Sequence, residues 1–240
     1  MENVINLGIP HVGEHIFESF DAPGLINCME VSQTWKVLAE NVLIKRWKGK
    51  MIEACKCGET KVVQVLLERC NSEESGLNAR NEKGSTAFMA ACHYGHKDVV
   101  YLLLDHSERI ELNARSNSGM TAFMWACLLG HTNVVQLLLN HSDRIDLNAR
   151  DNEGRTAFMA ACHFGHKDVV QVLLDHSDSN IELNATSVGG LTALMWACIN
   201  RQEHIFQLLL KYRERIDLHA KDNEGRAAVM IRACNGMIYC

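Results

Sequence analysis

No run of apolar residues in the chain reaches the roughly 18 positions that a membrane-spanning helix needs. The opening stretch, MENVINLGIPHVGEHIF, also lacks the basic segment and apolar core of a secretion signal. A cytosolic or nuclear location is therefore expected. Neither sign of charge dominates: the formal net charge is -5, with no acidic or basic tail. Electrostatics therefore favour neither nucleic acid nor an anionic membrane as a partner. Three catalytic signatures are missing: a phosphate-cradling glycine loop, a Gly-x-Ser-x-Gly elbow and a His-Glu-x-x-His pair. An enzyme is not expected, and no cofactor. Cysteine is plentiful, at 10 residues in a chain of 240. In a chain of this length with no secretion signal, reduced thiols are the better reading than a disulfide scaffold.

What is present is repetition. The stretch GSTAFMAACHYGHKDVVYLLLDHSERIELNAR at 84–115 returns almost letter for letter as GRTAFMAACHFGHKDVVQVLLDHSDSNIELNA from residue 154. Gly84, Gly119, Gly154, Gly190 and Gly225 open successive copies, at separations of 35, 35, 36 and 35 residues. A period of this size indicates a solenoid. Thr86, Thr121, Thr156 and Thr192 sit where an N-cap belongs, and each precedes a run of small helix formers that closes on Cys92, Cys127, Cys162 or Cys198. Cys55 fits the same slot one copy earlier. Gly58, Gly95, Gly130 and Gly165 are read as left-handed caps ending that first helix, with Asn200 replacing them in the fifth copy. A second helix follows, with Val99, Leu102 and Leu103 as its apolar stripe and Asp98 in its first turn.

These residues resemble the ankyrin repeat, whose units run Gly-x-Thr-Pro-Leu-His-x-Ala-Ala, then Gly-His, then Val-Val-x-Leu-Leu-Leu, then Val-Asn-Ala. The resemblance covers about residues 48 to 240 and implies an all-α solenoid that binds proteins. Ala replaces the motif proline at 87, 122, 157 and 193, and Met replaces its histidine at 89, 124, 159 and 195. Each link is about two residues longer than usual, so the connecting fingers are expected to sit differently. The residue before the paired small positions alternates Ala90, Trp125, Ala160, Trp196, so a large side chain meets a small one as units stack.

The recurring Cys and His residues raise the question of zinc. Buried small-residue filler and helix-to-helix turn pieces explain them better, because equivalent residues along a solenoid are spaced by about the 8–10 Å of packed helices and do not converge. No metal site is expected. Arg80, Arg115 and Arg150 form a row, continued by Lys221 and interrupted by Thr186; it reads either as a solvated ladder or as a track for an acidic partner. Met120, Arg155 and Leu191 share one finger position but differ from copy to copy, as a binding surface requires.

Ahead of the repeats, three short helices are expected: one through Val12, Ile16 and Phe20; one through Leu25, Cys28, Met29 and Ser32; and one from Trp35 to Trp47, with the DAPG stretch as punctuation. This segment is similar to an F-box through Ile9, Pro10, Ile16, Phe17, Phe20, Asp21, Leu25, Ile26, Val31, Ser32, Trp35, Leu38 and Ala39. The resemblance implies docking on the Skp-type linker of a cullin-RING ubiquitin ligase, with Pro10, Ile16, Phe17, Leu25, Val31 and Trp35 carrying the docking or the core beneath it. The other reading is a helical cap on the solenoid flank.

The resulting expectation is an F-box-like module over 1–48, then repeats at about 49–80, 81–115, 116–150, 151–186 and 187–221, and a partial copy at 222–240. The chain is expected to act as a monomeric substrate receptor of an SCF-type ligase, with a plain ankyrin scaffold as the alternative. Ala227 lacks the threonine cap and only 15 residues follow Gly225, so the last helix is expected to be frayed or cut short.

Overall fold

The computed structural model describes residues 18–29, 33–47, 50–69, 76–176 and 180–234. Among them are 13 α-helices, one 3-10 turn and no strand. Helices α1 (Ala22–Cys28) and α2 (Gln33–Trp47) come first. Then α3 (Met51–Cys57) pairs with α4 (Thr60–Arg69), α5 (Ala87–Tyr94) with α6 (Lys97–Asp105), and α7 (Ala122–Leu128) with α8 (Thr132–Leu139). Next, α9 (Ala157–Phe164) pairs with α10 (Lys167–Asp175) and α11 (Ala193–Ile199) with α12 (Glu203–Lys211), and α13 (Ala228–Cys234) follows. The first helices touch in the order α3, α5, α7, α9, α11, α13, and the second helices in the order α4, α6, α8, α10, α12. Two parallel rows therefore share one continuous core.

Each row follows from local chemistry. The side chains of Thr86, Thr121, Thr156 and Thr192 accept the backbone N–H of Met89, Met124, Met159 and Met195, which fixes the start of four first helices. Ala87, Ala91 and Cys92 are fully buried, as are their counterparts, so neighbouring first helices approach closely. In α6 the buried set is Val99, Val100, Leu103 and Leu104, while Leu102 is only partly covered. The stripe is broader than expected because α6 is held by its own first helix and by α4 and α8 on either side.

The fifth unit departs from expectation in its cap. Asn200 is not left-handed; the left-handed residue is Arg201, at φ 55°, in the register of Gly95, Gly130 and Gly165. A residue with a Cβ is strained there. The last helix is formed, from Ala228 to Cys234, and packs on α11; residues 235–240 lie outside the described set.

At the other end, α2 lies on α4 and extends the second-helix row by one member. Leu25, Trp35, Leu38, Val42 and Leu43 join the same core cluster as Val62 and Leu66. Glu40, 4% exposed, receives Arg69 Nη2 of α4 at 2.8 Å, so the contact is both apolar and ionic. The DAPG stretch, expected as punctuation, is the start of α1, because the Asp21 carboxylate accepts Gly24 N–H at 2.8 Å and Pro23 needs no donor in the first turn. Of the first expected helix, only Phe20 falls within the described residues.

Candidate protein-binding face

The conspicuous sulfur and imidazole groups can be placed one by one. Cys55, Cys92, Cys127, Cys162 and Cys198 are buried in the first-helix row. Burial pushes the thiol of Cys55 up to about 12 and that of Cys198 up to about 11, and raises those of Cys92, Cys127 and Cys162 as well. Thiols so protonated at neutral pH are poor nucleophiles and poor ligands. Among the described residues no three His, Cys, Asp or Glu side chains are grouped to hold a metal.

The histidines after each glycine tie units together. His96 Nε2 donates to Lys56 O at 2.9 Å, His131 Nε2 to His93 O at 2.8 Å, and His166 Nε2 to Leu128 O at 2.7 Å. Each carbonyl lies in the last turn of the preceding first helix, where the helix itself supplies no donor. The same rings press on the caps: a Cβ on Gly95 would come within 2.6 Å of His131 Nδ1. Glycine is thus required there twice, by its φ of 73° and by its neighbour's ring.

A second tie runs through the links. Asn78 donates to Arg109 O at 2.8 Å and accepts Glu111 N–H at 3.1 Å. Asn113 bonds Arg144 O and Asp146 N in the same way, and Asn184 bonds Arg215 O and Asp217 N. The arginine row has a comparable role. Arg80 Nη1 donates to Arg115 O at 2.7 Å and its Nη2 meets Glu111 at 3.3 Å; Arg150 donates to Thr186 O at 2.7 Å and meets Glu182 at 3.1 Å. Arg115 makes neither bond among the described residues. Its counterpart acid is Asp146, one methylene shorter than Glu111 or Glu182.

What remains open is the surface between fingers and first helices. Ala90 leaves a hollow, flanked by Met89, His93 and Tyr94 and walled by Trp125 of the next unit, within a cleft of about 830 Å3. Ala160, His163, Phe164 and Trp196 repeat the arrangement in a cavity of about 150 Å3. The His93 and Trp125 rings are 4.7 Å apart, and those of His163 and Trp196 4.9 Å apart. Tyr94 and Phe164, 47% and 51% exposed, stand at the rims of the two hollows. Desolvation holds the His93 and His163 imidazoles below their ordinary pKa, with His131 and then Lys83 adding to it at His93, and Arg155 at His163. Both rings are therefore neutral at pH 7.

A family model described as ankyrin repeats in three copies matches residues 51–151, 108–187 and 144–222. The chain belongs to the ankyrin-repeat family. Among curated proteins none matches it. The ankyrin array is a protein–protein interaction domain, of a family whose members are typically non-catalytic scaffolds. Among the described residues no helix is long and apolar enough to cross a membrane.

The residues singled out from the sequence fall unevenly on this ankyrin face. Met120 is 4% exposed and lines the second cavity with Arg155, whose guanidinium is held by Asp151 at 2.7 Å and Glu153 at 3.0 Å. Leu191 is half-buried against the core. Leu25 and Trp35 are buried, while Pro10, Ile16, Phe17 and Val31 lie outside the described residues. The hollow at Ala90 and Ala160 was visible in the sequence only as a packing alternation.

Proposed function

We propose that the chain is a non-catalytic receptor that holds a partner protein across its first-helix and finger face and delivers it to an SCF-type cullin-RING ubiquitin ligase. The observation that carries the first half is the pair of open hollows at Ala90 and Ala160, each with an exposed aromatic ring beside it. Arg80 lines the first hollow and Met120 and Arg155 the second; with Arg115, Arg150 and Leu191 they are the residues proposed to contact the partner, Arg115 being the arginine of the row left to meet a ligand. The second half rests on the F-box resemblance of residues 9–39, with the Skp-type linker as partner. Holding target and ligase together would make transfer of ubiquitin effectively intramolecular, so no residue of the chain need do covalent chemistry.

A plain scaffold with no ligase link is the second reading, and one observation favours it. Leu25 and Trp35 are spent in the core that covers the flank of the solenoid, so a linker could not touch them without displacing α1 from α2 or α2 from α4. The test therefore leaves those two residues alone. Replacing Pro10, Ile16 and Phe17 together with alanine should abolish binding of purified Skp-type linker, measured by calorimetry, with the circular dichroism of the repeats unchanged. A wild-type chain that shows no heat with the linker leaves the scaffold reading in its place.

A further inference from the structure

The two hollows share their Ala, His and Trp but differ in what stands around them. Four cations and two carboxylates line the cleft at Trp125, in a chain whose net charge is -5. Lys56 is paired with Glu53 at 3.4 Å and Arg80 with Glu111 at 3.3 Å. Lys50 and Lys83 have no carboxylate at ion-pair distance among the described residues, and both are exposed. Lys83 lines the same cleft as Ala90, His93 and Trp125. Around Trp196 the lining holds one cation, Arg155, already bound by two carboxylates.

We propose that the cleft between Lys50, Lys83 and Trp125 binds an extended acidic segment of a partner protein, with an aliphatic or aromatic side chain seated over Ala90 between Met89, His93 and Trp125, and Asp or Glu residues reaching the two lysines. The proposal deepens the receptor reading above and rests on it. The apolar walls supply the anchor site, and the lysine pair selects the sign of what flanks the anchor. The cleft runs across α3, α5 and α7, two helix spacings of about 8–10 Å each. An extended strand at about 3.3 Å per residue covers that span with some five or six residues. Glu82 on the same rim would repel a carboxylate placed beside it, which sets where along the segment the acids can fall.

The test is selection of a random dodecapeptide display library on the intact chain, followed by titration of the synthetic winners by fluorescence anisotropy. The expected winners carry Asp or Glu close to a Leu, Met or aromatic residue. Their affinity should fall tenfold or more in the double variant Lys50→Glu, Lys83→Glu, fall again in Trp125→Ala, and weaken as salt is raised. Both lysines are exposed, so circular dichroism of the double variant should match the wild type. Winners without acidic residues, or winners indifferent to the lysine reversal, overturn the proposal. If such winners are lost in Phe164→Ala, the second cavity is the receptor's site, and the general function stands while this inference does not. A library that yields no binder counts against both.

Discussion

Around Trp125 the duplicated block opens between two lysines with no ion-pair partner among the described residues; around Trp196 the same block closes over Met120 and a guanidinium held by Asp151 and Glu153. Trp196 also keeps its indole N–H buried with no acceptor among the described residues. Thirty nearly identical residues thus make the same hollow twice, while the units on either side decide its size and charge. The geometry of the site is set by the repeat, and its chemistry by residues outside the repeat's fixed positions. Selection on such a protein can alter what one cleft accepts without disturbing the stack that forms it.

The sharpest way to break this comparison is at the caps behind the two clefts. Gly95→Ala forces a Cβ into the left-handed region and onto the His131 ring, and should cost about 2–3 kcal/mol in urea denaturation. Gly165→Ala meets only the flexible end of Gln202, and its cost should be nearer 1–2 kcal/mol. Equal losses would mean that the histidine tie contributes nothing. Removing the caps at the other helix end should not discriminate. Thr86→Ala and Thr156→Ala should each lower stability by about 1 kcal/mol, since both hydroxyls accept a methionine N–H at 3.3 Å.

Arg201→Gly tests the same slot in the opposite direction. Relief of a φ of 55° should raise stability, by no more than about 1 kcal/mol, because glycine also loosens the unfolded chain. A loss of stability would show that the arginine side chain does more than tolerate its backbone.

The smallest effects concern protons. The folded chain holds both His93 and His163 below the ordinary value of 6.5, so the unfolded chain takes up protons that the folded one refuses. Their contribution to stability is full above pH 6.5 and is lost progressively as the pH falls from there down through the lowered folded-state values. Proton NMR should place both midpoints below 6.5, and Lys83→Gln should raise that of His93 while leaving His163 where it was.

Much of the stack was legible in the residues themselves. Thr86 and its counterparts announce helix starts, and a cysteine in a run of alanines announces close packing. The inter-unit ties were not. Asn78 reaches Arg109 O, and His131 reaches His93 O, across 31 and 38 residues. Each partner is a backbone carbonyl, which leaves no side-chain signature to find. Conformational preference alone favours Asn200 for the cap, whereas counting from Gly190 puts Arg201 in the slot, and tertiary register overrides propensity. Of the N-terminal segment, the spacing of Trp35, Leu38, Leu43 and Trp47 announces α2, and a helical cap on the solenoid flank is one of its two sequence readings; that the cap sits on the second-helix row, on α4, is what the structure adds.

Both clefts exist only if the recurring cysteines are packing elements of one continuous stack. Timed alkylation of the native chain with iodoacetamide, followed by peptide mass spectrometry, tests this most directly. Cys57, exposed at the end of α3, should react at once, while Cys92, Cys127 and Cys162 should react together and only at the rate of global unfolding. Prompt labelling of any of those three in the folded protein would contradict the account.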